Sequence, residues 1–211
     1  MYLKKTNYKE HSFFMNLALL QARRMLGNTK SNPAVGCVVV KKNCVNLSGF
    51  TGFNGRPHAE YRAINHFKKE IKGSDLYVTL EPCSHYGKTP PCVNIIAKSK
   101  IKRVFFSVND PDTRSYNKCA TKLSKFNIIV KKGILEKEVK NFYRSYYSFK
   151  DGSLPFVTAK LALSKDLFSK NKKNKWITNE FSRGRVHLMR SNHDCILTSI
   201  RTVIDDNPHL T

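Results

Sequence analysis

The chain has 211 residues, which is enough for one full domain and part or all of a second. It has no apolar run of about 18 residues, and its polar N-terminus lacks the apolar stretch of a signal peptide, so neither a membrane-spanning helix nor secretion is expected. The six cysteines are scattered and do not form a disulfide framework, which favours a reducing, cytoplasmic location.

The charge is strongly positive, with 38 Lys and Arg against 15 Asp and Glu and a formal net charge of +23. Such a charge is typical of proteins that bind nucleic acid or phosphate. Lysines greatly outnumber arginines and are spread over the whole chain, which favours drift in AT-rich coding DNA over a nucleic-acid partner. A phosphorylated small molecule fits either interpretation. The run 170–175, rich in Lys and Asn, is interpreted as a solvated loop.

Apolar spacing predicts strands that alternate with helices in the first part of the chain. This alternation indicates an α/β domain with a largely parallel sheet. A charged helix over 136–147 follows this domain. The predicted order before it is helix 11–26, strands 35–40 and 45–50, helix 58–67, strand 76–80, helix 92–99, strand 103–108, helix 118–125 and strand 128–130.

A second pattern begins near residue 150. It predicts a strand over 155–163, a helix over 179–190 and a strand over 195–199. We therefore expect two domains, 1–147 and 148–211.

The residues that carry chemistry stand in two motifs, His58-Ala59-Glu60 and a segment from Pro82-Cys83 to Pro91-Cys92. One His and two Cys can supply three ligands to zinc and leave a fourth position open for water, as in catalytic zinc sites. Glu60 is too close to His58 in sequence to be an obvious fourth ligand, but it is well placed to transfer protons. Zinc deaminases of nucleobases pair an H-x-E motif with a later P-C motif in this way.

Each motif alone is weak, because H-A-E is common at helix starts and free cysteines often serve as small buried apolar residues. The two motifs together, in this order and with prolines before both cysteines, are much more specific. Eight residues separate Cys83 from Cys92, where nucleic-acid-editing deaminases have two. This spacing favours a different substrate. Asn32, before Pro33, is interpreted either as a turn residue or as a hydrogen-bond donor to a sugar.

These motifs resemble the family of bifunctional riboflavin-biosynthesis deaminase/reductases. The resemblance rests on H-A-E, on Y-V-T-L-E at 77–81, on P-C-S-H-Y-G-K-T-P-P-C at 82–92 and on K-W-I-T at 175–178. Further matches are N-P-A-V-G-C at 32–37, D-P at 110–111, H-L-M-R at 187–190 and the tail 202–211. It implies a cytidine-deaminase-like domain followed by an incomplete dihydrofolate-reductase-like domain. It also implies His58, Cys83 and Cys92 as Zn²⁺ ligands and Glu60 as the catalytic proton carrier.

The implied reaction is hydrolytic deamination of 2,5-diamino-6-ribosylamino-4(3H)-pyrimidinone 5′-phosphate. In the second domain the resemblance places Ala162, Trp176, Thr202 and Asp206 at NADPH-binding positions, and Arg190 and Leu210 at substrate-binding positions. Family reductases extend beyond residue 211, so the reductase part is expected to be incomplete, either a remnant or completed by a separate reductase chain. A homo-oligomer is also left open.

Two other functions remain as alternatives. One is deamination of nucleosides or tRNA. The other, of a different class, is RNA binding by a basic protein with a structural zinc, for which His85 is the nearest candidate fourth ligand.

Overall fold

A computed structural model of the chain describes residues 5–65, 71–152, 154–169 and 176–210. The loop predicted over 170–175 and the last two residues of the helix predicted over 58–67 lie outside the described residues. The chain divides into two compact units, Met1–Phe156 and Val157–Thr211.

The first unit is an α/β domain in which helices and strands follow the predicted order. A 3₁₀ turn at Phe53–Gly55 precedes the second helix. The elements are α1 (Lys5–Arg23), β1 (Gly36–Lys41), β2 (Cys44–Phe50), α2 (Ala59–Ile64), β3 (Asp75–Leu80), α3 (Cys92–Lys98), β4 (Arg103–Val108), α4 (Cys119–Ser124), β5 (Ile129–Lys132), α5 (Glu136–Phe142) and α6 (Arg144–Asp151). The domain boundary predicted after residue 147 falls within α6, which belongs to the first unit.

The sheet has the order β2-β1-β3-β4-β5 and is mixed. The β3–β4 and β4–β5 pairs are parallel, but β1 is antiparallel to both β2 and β3, so the prediction of a largely parallel sheet was wrong for this half. The reason is the short β1–β2 connection, which allows only a hairpin. β2 and β3 run in the same direction on either side of β1, and α2 makes the longer connection between them.

Alternate strand residues enter two apolar clusters, because successive side chains of a strand point to opposite faces. Val38, Val40, Tyr77 and Phe105 pack with the apolar side of α1. Val39, Val78, Val104 and Phe106 pack with helices α2 to α5 on the other face. Both faces of the sheet are therefore covered.

Gly36, the first residue of β1, allows α1 to approach the sheet closely. A Cβ at this position would lie 2.1 Å from the Ala18 carbonyl oxygen in α1, which is shorter than any tolerated contact. The close approach explains a glycine at the start of a strand whose centre is three valines.

The charged helix predicted over 136–147 is two helices, α5 and α6, which meet at Tyr143. The prediction of one helix ending at 147 was therefore wrong. The turn between α5 and α6 lets the Tyr143 ring enter the core, where it is 2% exposed. α6 continues to Asp151 and ends at Gly152, which adopts the left-handed conformation common after helices.

The second unit contains α7 (Glu180–Arg190) and α8 (Ile200–Asp206). The helix predicted over 179–190 is confirmed, with the Asn179 side chain accepting a 2.9 Å hydrogen bond from the Ser182 amide as its N-cap. α8 was not predicted. It is capped by Ser199, which accepts a hydrogen bond from the Thr202 amide.

The strands predicted over 155–163 and 195–199 were wrong, since the described residues of this unit form no strand. Leu161 and Leu197, one from each segment, are 80% and 97% exposed. A strand needs a neighbour for its backbone groups, and an apolar pattern does not supply one.

In the described part of the chain, the helices lack the combination of length and hydropathy needed to cross a membrane.

Candidate metal centre

Three elements deliver the predicted zinc ligands to one place. His58 is the N-cap of α2, and Cys92 is the first residue of α3. Cys83 lies in the loop that leaves the carboxyl end of β3. Open α/β sheets commonly bind ligands at this end of their parallel strands.

The ligand atoms of His58, Cys83 and Cys92 all lie within 4.8 Å of one another. His58 Nδ1 is 3.3 Å from Cys92 Sγ and 3.5 Å from Cys83 Sγ. With zinc–nitrogen and zinc–sulfur bonds of about 2.0 and 2.3 Å, tetrahedral ligands lie roughly 3.5–3.8 Å apart. The three donor atoms therefore fit a zinc ion, by separation and by chemical type.

The two thiols have different electrostatic environments. The Cys92 backbone amide donates a 3.2 Å hydrogen bond to Cys83 Sγ. Hydrogen bonds from the Cys92 thiol, and also from His58 and this amide, lower the pKa of Cys83 to about 4, against the opposing effect of burial. The bond to Cys83 and burial raise the pKa of Cys92. One thiolate is thus formed at neutral pH, and a cation would favour the second.

Glu60 lies in the first turn of α2 and is 4% exposed. Burial, followed by the charge of Cys83, raises the pKa of its carboxyl from 4.5 to about 7. Cys83 and His58 are close enough for their charges to shift this pKa, Cys83 upward and His58 downward. The carboxyl thus lies beside the metal cluster in an environment where it can accept and return a proton near neutral pH.

His85 is held away from the cluster by a different partner. Its Nδ1 is 2.9 Å from the Ser115 hydroxyl, which also accepts a 3.1 Å hydrogen bond from the Ser84 amide. Among the described residues the cluster consists of His58, Cys83 and Cys92, without His85. This arrangement leaves a coordination position open and weighs against a closed structural zinc.

The side chains of Arg56 and Asn32 make contacts within the loop that leads to His58. Arg56 Nη1 lies 3.2 Å from His58 Nε2 and donates a hydrogen bond to the Thr89 hydroxyl. Asn32 packs against Gly55, where a Cβ would come within 2.2 Å of Asn32 Nδ2. Gly55 has a φ of +87°, so the backbone conformation also favours glycine here. Asn32 is therefore placed against the segment that carries His58.

Glu81, to which the sequence analysis gave no role, organises the loop next to the cluster. Its buried carboxylate accepts 3.0 Å hydrogen bonds from the amides of Asn117 and Cys119 and a 3.1 Å bond from the Asn109 side chain. It thereby fixes the segment 109–119, which carries Ser115. The position of Glu81, an acidic residue between a buried strand and the P-C motif, was the sequence signal that could have identified this role.

The predicted cofactor and substrate residues of the second unit lie in different parts of that unit. Trp176 packs under the Arg183 guanidinium at 4.5 Å from ring centre to Cζ. Thr202 is in the first turn of α8, and its Oγ1 lies 3.0 Å from the capping Ser199 hydroxyl. Arg190 donates a 3.2 Å hydrogen bond to the carbonyl of His209. The other predicted positions are Ala162 in an irregular segment, Asp206 at the end of α8 and Leu210 beyond it.

Two families match successive parts of the chain. Residues 8–108 match the cytidine and deoxycytidylate deaminase zinc-binding region. Residues 155–211 match the RibD C-terminal domain.

Individual relatives give the same result over nearly the whole chain. This chain is 45% identical to the riboflavin biosynthesis protein RibD of Bacillus amyloliquefaciens over 201 residues, which cover 94% of this chain and 54% of the relative. The corresponding RibD of Escherichia coli is 34% identical over 204 residues and 56% of its length.

The solved structure of the diaminohydroxyphosphoribosylaminopyrimidine deaminase/5-amino-6-(5-phosphoribosylamino)uracil reductase of Thermotoga maritima is similar, with a TM-score of 0.87 and 38% identity. The match covers 96% of this chain and 59% of that one. The chain thus spans about half the length of the curated relatives that it matches. Its zinc-binding motif, its α/β fold and the two matched regions place the chain in the RibD family of riboflavin-biosynthesis deaminase/reductases.

Proposed function

We propose that the first unit catalyses a zinc-dependent hydrolytic deamination in riboflavin biosynthesis. The proposed substrate is 2,5-diamino-6-ribosylamino-4(3H)-pyrimidinone 5′-phosphate. The observation that carries the proposal is the cluster of His58, Cys83 and Cys92 with the buried Glu60 beside it. The substrate class comes from the similarity to the Thermotoga maritima enzyme, whose name specifies a deaminase of such a pyrimidine.

His58, Cys83 and Cys92 would hold the zinc ion. When bound, zinc supplies Lewis-acid chemistry that makes water nucleophilic near neutral pH. Glu60 accepts a proton from the water that attacks the amino-bearing ring carbon, and it protonates the neighbouring ring nitrogen. It then assists the departing amino group, which leaves as ammonia while the ring carbon becomes a carbonyl.

Asn32 is proposed to hydrogen-bond the sugar of the substrate. Both backbone groups of Asn32 are bonded to Thr29, and its partly exposed side-chain amide makes no hydrogen bond within the described part of the chain. The amide is therefore available to a ligand. The net charge of +23 is compatible with a phosphorylated substrate.

Because residues 155–211 match the RibD C-terminal domain, we further propose that the second unit is an incomplete part of an NADPH-dependent reductase of the deaminated product, active only where another chain completes it. Ala162, Trp176, Thr202 and Asp206 would contact NADPH, and Arg190 and Leu210 the substrate. Thr202 and Asp206 are four residues apart in α8 and so lie on one side of that helix. We also propose a cytoplasmic location for the protein, because the thiolate ligands of the zinc site in the first unit must stay reduced.

The test is ammonia release from the zinc-loaded protein with three substrates: the pyrimidinone phosphate, cytidine and tRNA. Release from the pyrimidinone phosphate alone is expected. Preference for cytidine or tRNA would identify a nucleoside or nucleic-acid deaminase. No ammonia from any substrate, together with tight RNA binding, would favour the RNA-binding alternative.

A further inference from the structure

Side-chain hydroxyls hold the backbone that connects Asn32 to β1. On one side the Val35 amide donates a 2.8 Å hydrogen bond to Thr51 Oγ1, and the Thr51 amide donates one of 2.8 Å to the Val35 carbonyl. Thr51 Oγ1 also donates a 3.1 Å hydrogen bond to the Pro33 carbonyl. Thr51 therefore continues the pairing of β2 with the residues that precede β1.

On the other side a chain of three hydrogen bonds returns to the same segment. The Gly36 amide donates to Thr79 Oγ1 at 3.1 Å, and Thr79 Oγ1 lies 2.7 Å from Tyr143 Oη. Tyr143 Oη donates to the Ala34 carbonyl at 3.1 Å. Tyr143 has one hydroxyl proton, which goes to Ala34, so Thr79 must donate to Tyr143. The direction of every bond in the chain is thereby fixed.

These hydroxyls are inaccessible to water. Thr51 and Tyr143 are each 2% exposed and Thr79 is fully buried. If the Tyr143 hydroxyl were removed, the Ala34 carbonyl and the Thr79 hydroxyl would each lose a partner that water cannot easily replace. The segment 34–36 would then lose one of its two supports.

This support acts on the position of Asn32 together with the two hydrogen bonds between Asn32 and Thr29. Asn32 is two residues before Ala34, and its side chain contacts Gly55, three residues before His58. A displacement of Ala34 would therefore move Asn32 relative to the loop that carries His58. Tyr143 lies outside residues 8–108, the part of the chain that matches the zinc-binding deaminase family.

We propose that Tyr143 is a positioning residue for substrate binding. Through Thr79 and Ala34 it holds the Asn32 loop in the place where the Asn32 amide meets the sugar of the substrate. This inference rests on the proposed function, in which Asn32 binds the substrate.

The test compares Tyr143→Phe with Tyr77→Phe in the zinc-loaded, full-length chain. Tyr77 is equally buried, but its hydroxyl makes one hydrogen bond, the 2.6 Å contact with His11 in α1, whereas the Tyr143 hydroxyl makes two. For Tyr143→Phe we expect amide hydrogen exchange at Val35 and Gly36 to become about tenfold faster. We expect KM for the pyrimidinone phosphate to rise about tenfold and kcat to change less than about threefold. Tyr77→Phe should change neither exchange at these amides nor KM.

A double mutant tests whether Tyr143 acts through Asn32. In an Asn32→Ala background, Tyr143→Phe is expected to raise KM by less than about twofold, since coupled residues are not additive. A full tenfold rise in that background would overturn the proposal, and so would unchanged exchange at Val35 and Gly36. Should Tyr143→Phe fail to fold, Thr79→Val interrupts the same chain and is expected to give the same changes. Exchange is measured without substrate, so an inactive wild-type protein would refute the proposed function separately from the backbone support.

Discussion

At the scale of single residues, the candidate metal centre brings together two thiols and one imidazole from three different segments. Replacing Cys83 or Cys92 with Ser exchanges a thiolate for a neutral hydroxyl, which is a poor zinc ligand. We expect the wild-type chain to carry about one zinc ion and either variant to lose most of it. Metal analysis of the purified proteins gives this directly.

The matched control is His85→Ala, which removes a nearby imidazole that is bonded to Ser115 and not to the cluster. This variant should keep its zinc. Loss of zinc from His85→Ala would favour a closed, four-ligand site, and full zinc in both Cys variants would refute the ligand assignment.

Glu60 gives a second prediction, which separates metal binding from proton transfer. Glu60→Gln keeps the size and the buried position of the side chain but cannot accept and return a proton. We expect normal zinc content and a loss of ammonia release on the order of 10²-fold or more. Zinc content and turnover are measured on the same sample, and near-normal turnover would remove Glu60 from the mechanism.

At the scale of elements, the junction of β4 with α6 contains a buried carboxyl, Asp110, which is 6% exposed. It accepts hydrogen bonds from the Asp112 amide at 3.0 Å and the Tyr146 hydroxyl at 3.3 Å. Burial nevertheless raises the pKa of Asp110 from 3.8 to about 6, against the effect of these two hydrogen bonds. The charge of Asp112 also raises this pKa, and the charge of Lys150 lowers it. The folded state therefore keeps a proton that the unfolded state has lost between about pH 4 and pH 6.

This difference predicts that the contribution of Asp110 to stability is present below about pH 4 and is lost as the pH rises to about 6. A rise of about 2 pKa units corresponds to at most about 2–3 kcal/mol. Asp110→Asn keeps both acceptor interactions and cannot ionise. Its unfolding free energy, relative to wild type, should increase by up to that amount from pH 4 to pH 7.

Denaturant unfolding at a series of pH values measures the difference in unfolding free energy between Asp110→Asn and wild type. Both proteins have the same zinc ligands, so the pH dependence of those ligands cancels in the difference. Asp151→Asn, an exposed carboxylate at the end of α6, is the control and should follow the wild type. Parallel curves for wild type and Asp110→Asn would contradict the prediction.

Local sequence was sufficient to predict most elements of the first unit because their apolar periodicity matches the burial that the fold provides. The alternating strand residues Val38 and Val39, for example, enter opposite clusters. The metal cluster was also predictable, because its chemistry requires particular residue types. The antiparallel pairing of β1 with β2 could have been predicted from the short connection between them. The pairing of β1 with β3 could not, since a strand carries no signal for the direction of a neighbour that is distant in sequence. Nor could the role of Tyr143, whose partners are 64 and 109 residues away in sequence.

At the scale of the whole molecule, the two units differ in how much apolar surface they cover. The first has a core on both faces of its sheet, in which Val39, Val78 and Phe105 are fully buried. In the second, α7 and α8 have no buried residue, and Phe181, Leu197 and Ile200 are 90%, 97% and 75% exposed. The free energy of apolar burial that normally supports a domain is therefore largely absent from the described part of the second unit.

A binding site for NADPH needs a supporting shell that fixes its side chains. Trp176, which would line that site, is 59% exposed. We therefore expect the 211-residue chain by itself to release ammonia from the pyrimidinone phosphate without oxidising NADPH above background. Absorbance at the NADPH band, followed with the deaminated product as acceptor, measures this. The ammonia released in the same sample shows that the first unit is active, and the longer Thermotoga maritima deaminase/reductase serves as the positive control. Measurable oxidation by this chain alone would contradict the prediction.

If oxidation appears only when a polypeptide equivalent to the remainder of the RibD C-terminal domain is added, the second unit contributes competent residues to a site that another segment completes. If the addition has no effect, Ala162, Thr202 and Asp206 do not form a working cofactor site, and deamination is the activity that this chain retains.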